Sequence, residues 1–124
     1  MPSEDRVIDA FCAYLAADGW STIREAAHCD VLATRADERL YAEAKGSTQA
    51  PGLDADTMYG QLLRRMTNEH DPAVTRYAAV VPDEPTVLRA ALRVPRRIRA
   101  LLRIELYAVA AGGTVRQVEA LNDA

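Results

Sequence analysis

Apolar positions near the start of the chain recur at helical spacing. Val7, Ile8, Phe11, Cys12 and Leu15 fall on one stripe, which predicts a first helix with Cys12 in the core. Ser3 stands where an N-cap belongs, Glu4 and Asp5 occupy the first turn, and Gly19 marks the stop. The period then shortens to two. Trp20 to Ala26, Asp30 to Arg35 and Arg39 to Lys45 read as three strands, with Asp37-Glu38 as a tight turn between the last two. These connections are too short for a crossover helix, so an antiparallel meander is expected, with Trp20 packed inside. Residues 46–55 read as a loop, and Asp54 or Asp56 as the cap of a helix reaching about Glu69. Met58, Leu62, Leu63 and Met66 give that helix its apolar side. Arg76 to Val81 reads as a buried strand ended by Pro82. A short helix follows over Thr86 to Arg93, and Pro95 breaks it before further turns through Leu102. Ile104 to Val109 and Thr114 to Val118 read as strands around an Ala111-Gly112-Gly113 hairpin.

At 124 residues and 49% apolar composition, one domain with one real core is expected, residues 1–124. The two cysteines, Cys12 and Cys29, form no C-x-x-C pair, so neither a disulfide framework nor a zinc site is indicated. The polar start and the lack of a long apolar segment predict no signal peptide and no membrane span, with the cytoplasm as default location. Net charge is −3, which does not by itself suggest a nucleic-acid binder. Charge is unevenly spread, however. Between Pro85 and Ile104 stand Arg89, Arg93, Arg96, Arg97, Arg99 and Arg103 with no acid. Such a block can meet phosphates or be an ordinary solvated face.

The basic residues carry a second signal. Fourteen are arginine and one is lysine, Lys45. Arginine serves ion pairing and phosphate contact, whereas a compact ammonium suits a place beside reacting atoms. Glu43 and Lys45 lie two apart at a strand end and share a face. Asp30 opens the neighbouring antiparallel strand, so its carboxylate can approach Glu43 at one rim of the sheet. Like charges that close call for a cation between them. A hard divalent ion takes a few carboxylate oxygens and several waters.

Asp30 followed by Glu43-Ala44-Lys45 at a strand end resembles the signature of the PD-(D/E)xK nuclease superfamily. The element order is similar to its αβββαβ core, here about residues 3–81, followed by a C-terminal extension of about residues 82–124 with a helix and a β-hairpin. The resemblance implies an α/β, restriction-endonuclease-like fold with a mixed central sheet flanked by helices, nearest the restriction-endonuclease-like and Holliday-junction-resolvase-like branches. It implies that Asp30 and Glu43 are ligands of Mg²⁺ or Mn²⁺, with the Ala44 carbonyl also facing the ion. It further implies that Lys45 stands beside the attacking water and that Gln61 is the polar helix residue behind the site. It also implies an acid from the first helix, with Glu4, Asp5 and Asp9 all open. Cys29 stands where the family name has proline.

The implied activity is hydrolysis of DNA phosphodiesters, with Arg64, Arg65, Arg96 and Arg97 as candidate phosphate contacts, a structured substrate or a partner protein supplying selectivity, and a homodimer also open. The competing reading is a non-catalytic module of the same fold that binds nucleic acid or a partner protein in a defence or repair complex. A solvated ion pair is the plain alternative for Glu43 and Lys45. For Arg64-Arg65 it is an exposed helix face, and for Tyr41 a residue that only covers the sheet. His28, Cys29 and His70 show no metal-ligand spacing and read as structural or surface residues.

Overall fold

In the computed structural model, which describes residues 2–121, six strands build one sheet and four helices flank it. Helix α1 spans Glu4–Ala17. It starts as the sequence predicts: the Arg6 N–H donates to Ser3 Oγ at 3.2 Å, satisfying one otherwise open donor of the first turn. It ends before Gly19, whose φ of +84° suits a residue without Cβ. Val7, Phe11 and Leu15 are buried against Val31, Leu40, Val80 and Tyr107, and Trp20 joins the same core. Cys12 is only half-buried, packed at the edge of that core.

Strands β1 (Ser21–Ala26), β2 (Cys29–Arg35) and β3 (Glu38–Ala44) form the expected antiparallel meander. The first turn consists of Ala27 and His28, both in the left-handed region at φ 54° and 62°. That is the conformation a two-residue hairpin requires at both central positions. The second turn is Ala36-Asp37 rather than Asp37-Glu38, because Glu38 already pairs with Arg35.

Helix α2 covers Pro51–Arg65, so it opens earlier and closes earlier than the sequence suggested. Pro51 is the reason at the start: it fits the first helical position, where no N–H is needed. Ala50 is the cap residue, and Asp54, whose N–H donates to the Ala50 carbonyl, lies inside the first turn instead of capping it. The buried side is Ala55, Met58, Tyr59 and Leu62; Leu63 is exposed. Tyr59 is held there by donating to the Ala91 carbonyl at 2.7 Å.

The α2 crossover lets β4 (Thr75–Pro82) run parallel to β3. Helices α3 (Pro85–Ala91) and α4 (Arg96–Leu102) carry the chain to β5 (Ile104–Val109), parallel to β4, and β6 (Val115–Val118) closes the sheet antiparallel. Strand order is β1-β2-β3-β4-β5-β6. One core lies under α1. The other lies under α2, α3 and α4, built on Met58, Leu62, Tyr77, Val81, Ile104 and Leu106. Alternation along β2 and β3 therefore decides which helix layer each side chain meets. Among the described residues, no helix is long and apolar enough to cross a membrane.

The arginine block is not one solvated face. Arg99 is fully buried. Its Nε donates to the Val94 carbonyl at 3.1 Å and its Nη2 to Glu119, just after β6. Arg96 donates to the carbonyls of Ala120 at 2.8 Å and Leu121 at 3.2 Å. Arg97 is exposed.

Candidate functional site

Residues 31–35 of β2 pair with residues 38–42 of β3 in a single register, Val31 opposite Ala42 and Leu32 opposite Tyr41. Continued by one residue, that register sets Asp30 opposite Glu43. Val31 and Ala42 belong to the core under α1. Asp30 and Glu43 therefore project to the other face, the one that α2 covers. There the structure brings the two carboxyl groups together. One Asp30 oxygen, Oδ2, accepts the Ala44 backbone N–H at 2.8 Å, which fixes the carboxylate at the rim. Glu43 is 3% exposed. Its carboxyl group is pushed up to about 8, first by burial and then by the charge of Asp30 and a hydrogen bond with it; Arg65 and Lys45 pull the other way. This is how a buried acid behaves when a second acid shares its site and the nearby cations offset the pair only in part.

Lys45 follows directly after β3, half-buried, with its N–H donating to the Val80 carbonyl at 3.0 Å. That bond extends the β3–β4 pairing by one residue and keeps Lys45 in strand-like phase with Glu43. The next residue explains how α1 reaches the site. A Cβ on Gly46 would stand 2.5 Å from the Glu4 nitrogen and 2.9 Å from the Ser3 carbonyl carbon. The start of α1 is thus seated on Gly46, and the Ser47 N–H donates to the Pro2 carbonyl at 3.0 Å. Of the three first-helix acids, Glu4 is the one so placed. Its carboxyl group is raised by burial first and then by the charge of Asp30, with Lys45 opposing. Asp9 instead pairs with Arg24 at 2.5 Å; Asp5 is exposed, as is Glu4, but it is Glu4 whose backbone meets Gly46. The sequence offered no means of ranking the three, because the docking of α1 on Gly46 is a tertiary contact.

Gln61 and Arg65 sit one turn apart on α2, with Arg65 Nε donating to the Gln61 carbonyl at 3.3 Å. Arg65 acts electrostatically on Glu43, so this side of α2 looks toward the carboxylates. Gln61 Oε1 is buried and has no hydrogen-bond partner among the described residues. Arg64 is exposed and turns to solvent. Cys29 shares the phase of Val31 and points to the opposite face from Asp30. Its thiol donates toward the Ala26 and Val31 carbonyls and is pushed up to about 11, mainly by burial, so it stays a neutral core group.

The donor set fits a hard cation. It consists of two carboxylates, one deeply buried and both mutually repelling when ionised. Among the described residues, no group of three His, Cys, Asp or Glu side chains is arranged to hold a metal ion. A site with two carboxylates suits Mg²⁺, which keeps several waters, better than a transition metal that needs a full protein cage. Arg96 and Arg97 lie on α4, and Arg96 is engaged with the C-terminal backbone. His70 is engaged with Tyr77, its Nδ1 standing 2.7 Å from the tyrosine hydroxyl.

Comparison of the sequence with family models and with curated proteins gives no match. Among solved structures, the fold is similar to the crystal structure of an XisH family protein from Nostoc punctiforme PCC 73102. The TM-score is 0.62 at 14% identity, over 92% of this chain and 99% of that one. The chain has a restriction-endonuclease-like fold: a six-stranded mixed sheet flanked by helices on both faces.

Proposed function

We propose that this chain is a metal-dependent nuclease that hydrolyses DNA phosphodiester bonds. The observation that carries the reading is the Asp30–Glu43 pair. Two carboxyl groups are held together on one face with Glu43 buried, two residues before the only lysine of the chain. A buried acid pair destabilises a fold unless something positive completes it. Asp30 and Glu43 would hold Mg²⁺ or Mn²⁺ through carboxylate oxygens. Such an ion, when bound, supplies charge stabilisation at a phosphoryl oxygen and makes a water more acidic. The Ala44 N–H holds Asp30 in place for this task. The Lys45 ammonium orients the attacking water and offsets negative charge that grows at the phosphoryl group. Gln61 offers an acceptor on the helix side that also carries Arg65, and Arg65 supplies a cation toward the substrate phosphate.

The test is DNA cleavage across a Mg²⁺ titration for the wild type, Lys45→Arg and Glu43→Gln. A guanidinium is planar and larger, and it cannot replace a compact ammonium beside a water. Lys45→Arg should lose about 100-fold or more in turnover at saturating metal. Glu43→Gln should shift the Mg²⁺ dependence to higher concentration, because an oxygen ligand loses its charge. Wild-type activity in Lys45→Arg would remove the lysine from the mechanism. Absence of both cleavage and metal binding in the wild type would leave a nuclease-fold binding module instead.

A further inference from the structure

The face that carries Asp30 and Glu43 is only partly roofed. The register sets Ile23, Leu32, Tyr41, Tyr77 and Ile104 in a single row across β1 to β5. The helices bury Tyr77 and Ile104 at one end. The other end is open. Ile23 is 59% exposed, Leu32 and Tyr41 are half-buried, and neither Ile23 nor Leu32 belongs to either core. His70 stacks on Tyr41 with ring centroids 4.7 Å apart and planes 17° from parallel. The His70 ring is braced in turn by Tyr77 through the bond at 2.7 Å. The open row thus begins at a rigid aromatic stack.

The neighbouring rows are charged. One step along the strands, roughly 6–7 Å away, lie Asp30 and Glu43. One step in the other direction lies Arg39, opposite Thr34 and exposed; its guanidinium reaches only the Glu38 carbonyl, at 3.4 Å. Arg65 borders the face from α2, and neither arginine has a carboxylate partner within ion-pair distance among the described residues.

We infer that this open half of the sheet binds unpaired DNA, with bases stacked on the Tyr41–His70 row and the backbone drawn by Arg39 and Arg65 across the carboxylates. The inference rests on the nuclease reading and names its substrate class. Every base has a π-face, so aromatic side chains on a sheet hold single strands with little sequence preference. A duplex keeps its bases stacked inside and has no use for an exposed apolar row beside the site.

The test is fluorescence anisotropy with a short labelled oligothymidylate and with a labelled hairpin duplex, in metal-free buffer. The proteins are the wild type, Tyr41→Leu and Tyr41→Phe, each checked by thermal melting. Leucine keeps an apolar cover without a ring, and phenylalanine keeps the ring. The wild type should bind the oligothymidylate more tightly than the hairpin. Tyr41→Leu should weaken that binding roughly 5- to 100-fold, while Tyr41→Phe retains it. Unchanged binding in folded Tyr41→Leu, or a preference for the hairpin, overturns the inference. So does a wild-type dimer in sedimentation velocity that Ile23→Glu converts to monomer, which would assign the face to a second copy. Mg²⁺-dependent cleavage without any effect of Tyr41 sinks this inference and leaves the nuclease reading standing. Loss of both binding and cleavage sinks both.

Discussion

Glu43 is the residue in which local sequence and tertiary placement conflict most sharply. Strand alternation sets it on the α2 face beside Lys45, and that much follows from a period of two. Its burial, and the crowding by Asp30, come from β2 and α2 closing over it. The consequence is a dependence of stability on pH. A carboxyl group with a folded-state value near 8, against an ordinary value of 4.5, binds its proton more tightly folded than unfolded. Stability from this group is complete below about pH 4.5 and is lost as pH rises toward 8. Glu4 is shifted in the same direction. The metal-free protein should therefore melt at a falling temperature between pH 5 and 8, and Asp30→Asn should flatten that slope by removing the neighbouring charge. A melting temperature that rises through this window would contradict the proposed pairing. Addition of Mg²⁺ at pH 8 should restore stability if the two carboxylates hold it.

At the scale of elements, one glycine decides whether α1 reaches the site. Gly46 lies between Lys45 and the first turn of α1 with no room for a methyl group, and the atoms in the way are backbone atoms that cannot rotate aside. Gly46→Ala should destabilise the fold by about 1–3 kcal/mol, the usual cost of overpacking. It should also push Glu4 away from Asp30, so chemical denaturation and the pH dependence above would change together. Equal stability in Gly46→Ala would mean that the helix start yields more easily than its close contact indicates. The elements themselves were largely legible. The helical stripe of α1, the three short strands and the hairpin at the end lie within a few residues of their expected places. Helix α2 was misplaced because Asp54 and Asp56 resemble caps, while Pro51 at the first helical position sets the start. Leu63, expected on the apolar side, is exposed and Tyr59 is buried instead, because the buried direction of α2 depends on how the helix lies on β3 and β4.

At the scale of the whole molecule, a buried cation fastens two parts of the C-terminal extension to each other, helix α4 and the segment after β6. Arg99 is fully buried and paired with Glu119, whose side chain is 48% exposed, and Arg99 Nη1 has no partner among the described residues. Removing Glu119 would leave a buried guanidinium without its counter-charge. Glu119→Ala should cost about 3 kcal/mol, the low end for breaking a buried pair, because Glu119 itself is half in water. Arg99→Met should cost less, since it removes the charge and keeps the volume. Urea denaturation of both variants, followed by near-UV and far-UV signals, measures the order. A smaller loss in Glu119→Ala than in Arg99→Met would refute the account of the latch. The same observation separates the arginines by task. Arg99 and Arg96 hold the C-terminal segment, whereas Arg97 on α4, Arg64 on α2 and Arg39 on β3 are exposed.

The sequence by itself determined the succession of helices and strands, the antiparallel meander, and the shared face of Asp30, Glu43 and Lys45. It could do so because periods of 3.6 and 2 and short turn lengths are local properties. The lysine stood out for a local reason too, as the single exception in an arginine-only surface. Only the tertiary structure decided which first-helix acid approaches the site, which arginine is core and which is surface, and that α2 leaves half of its sheet face open. Those outcomes depend on contacts between residues distant in the chain. Glu4 meets Gly46, Arg99 meets Glu119, and Tyr41 meets His70 only once the sheet has formed, and no periodicity encodes such meetings.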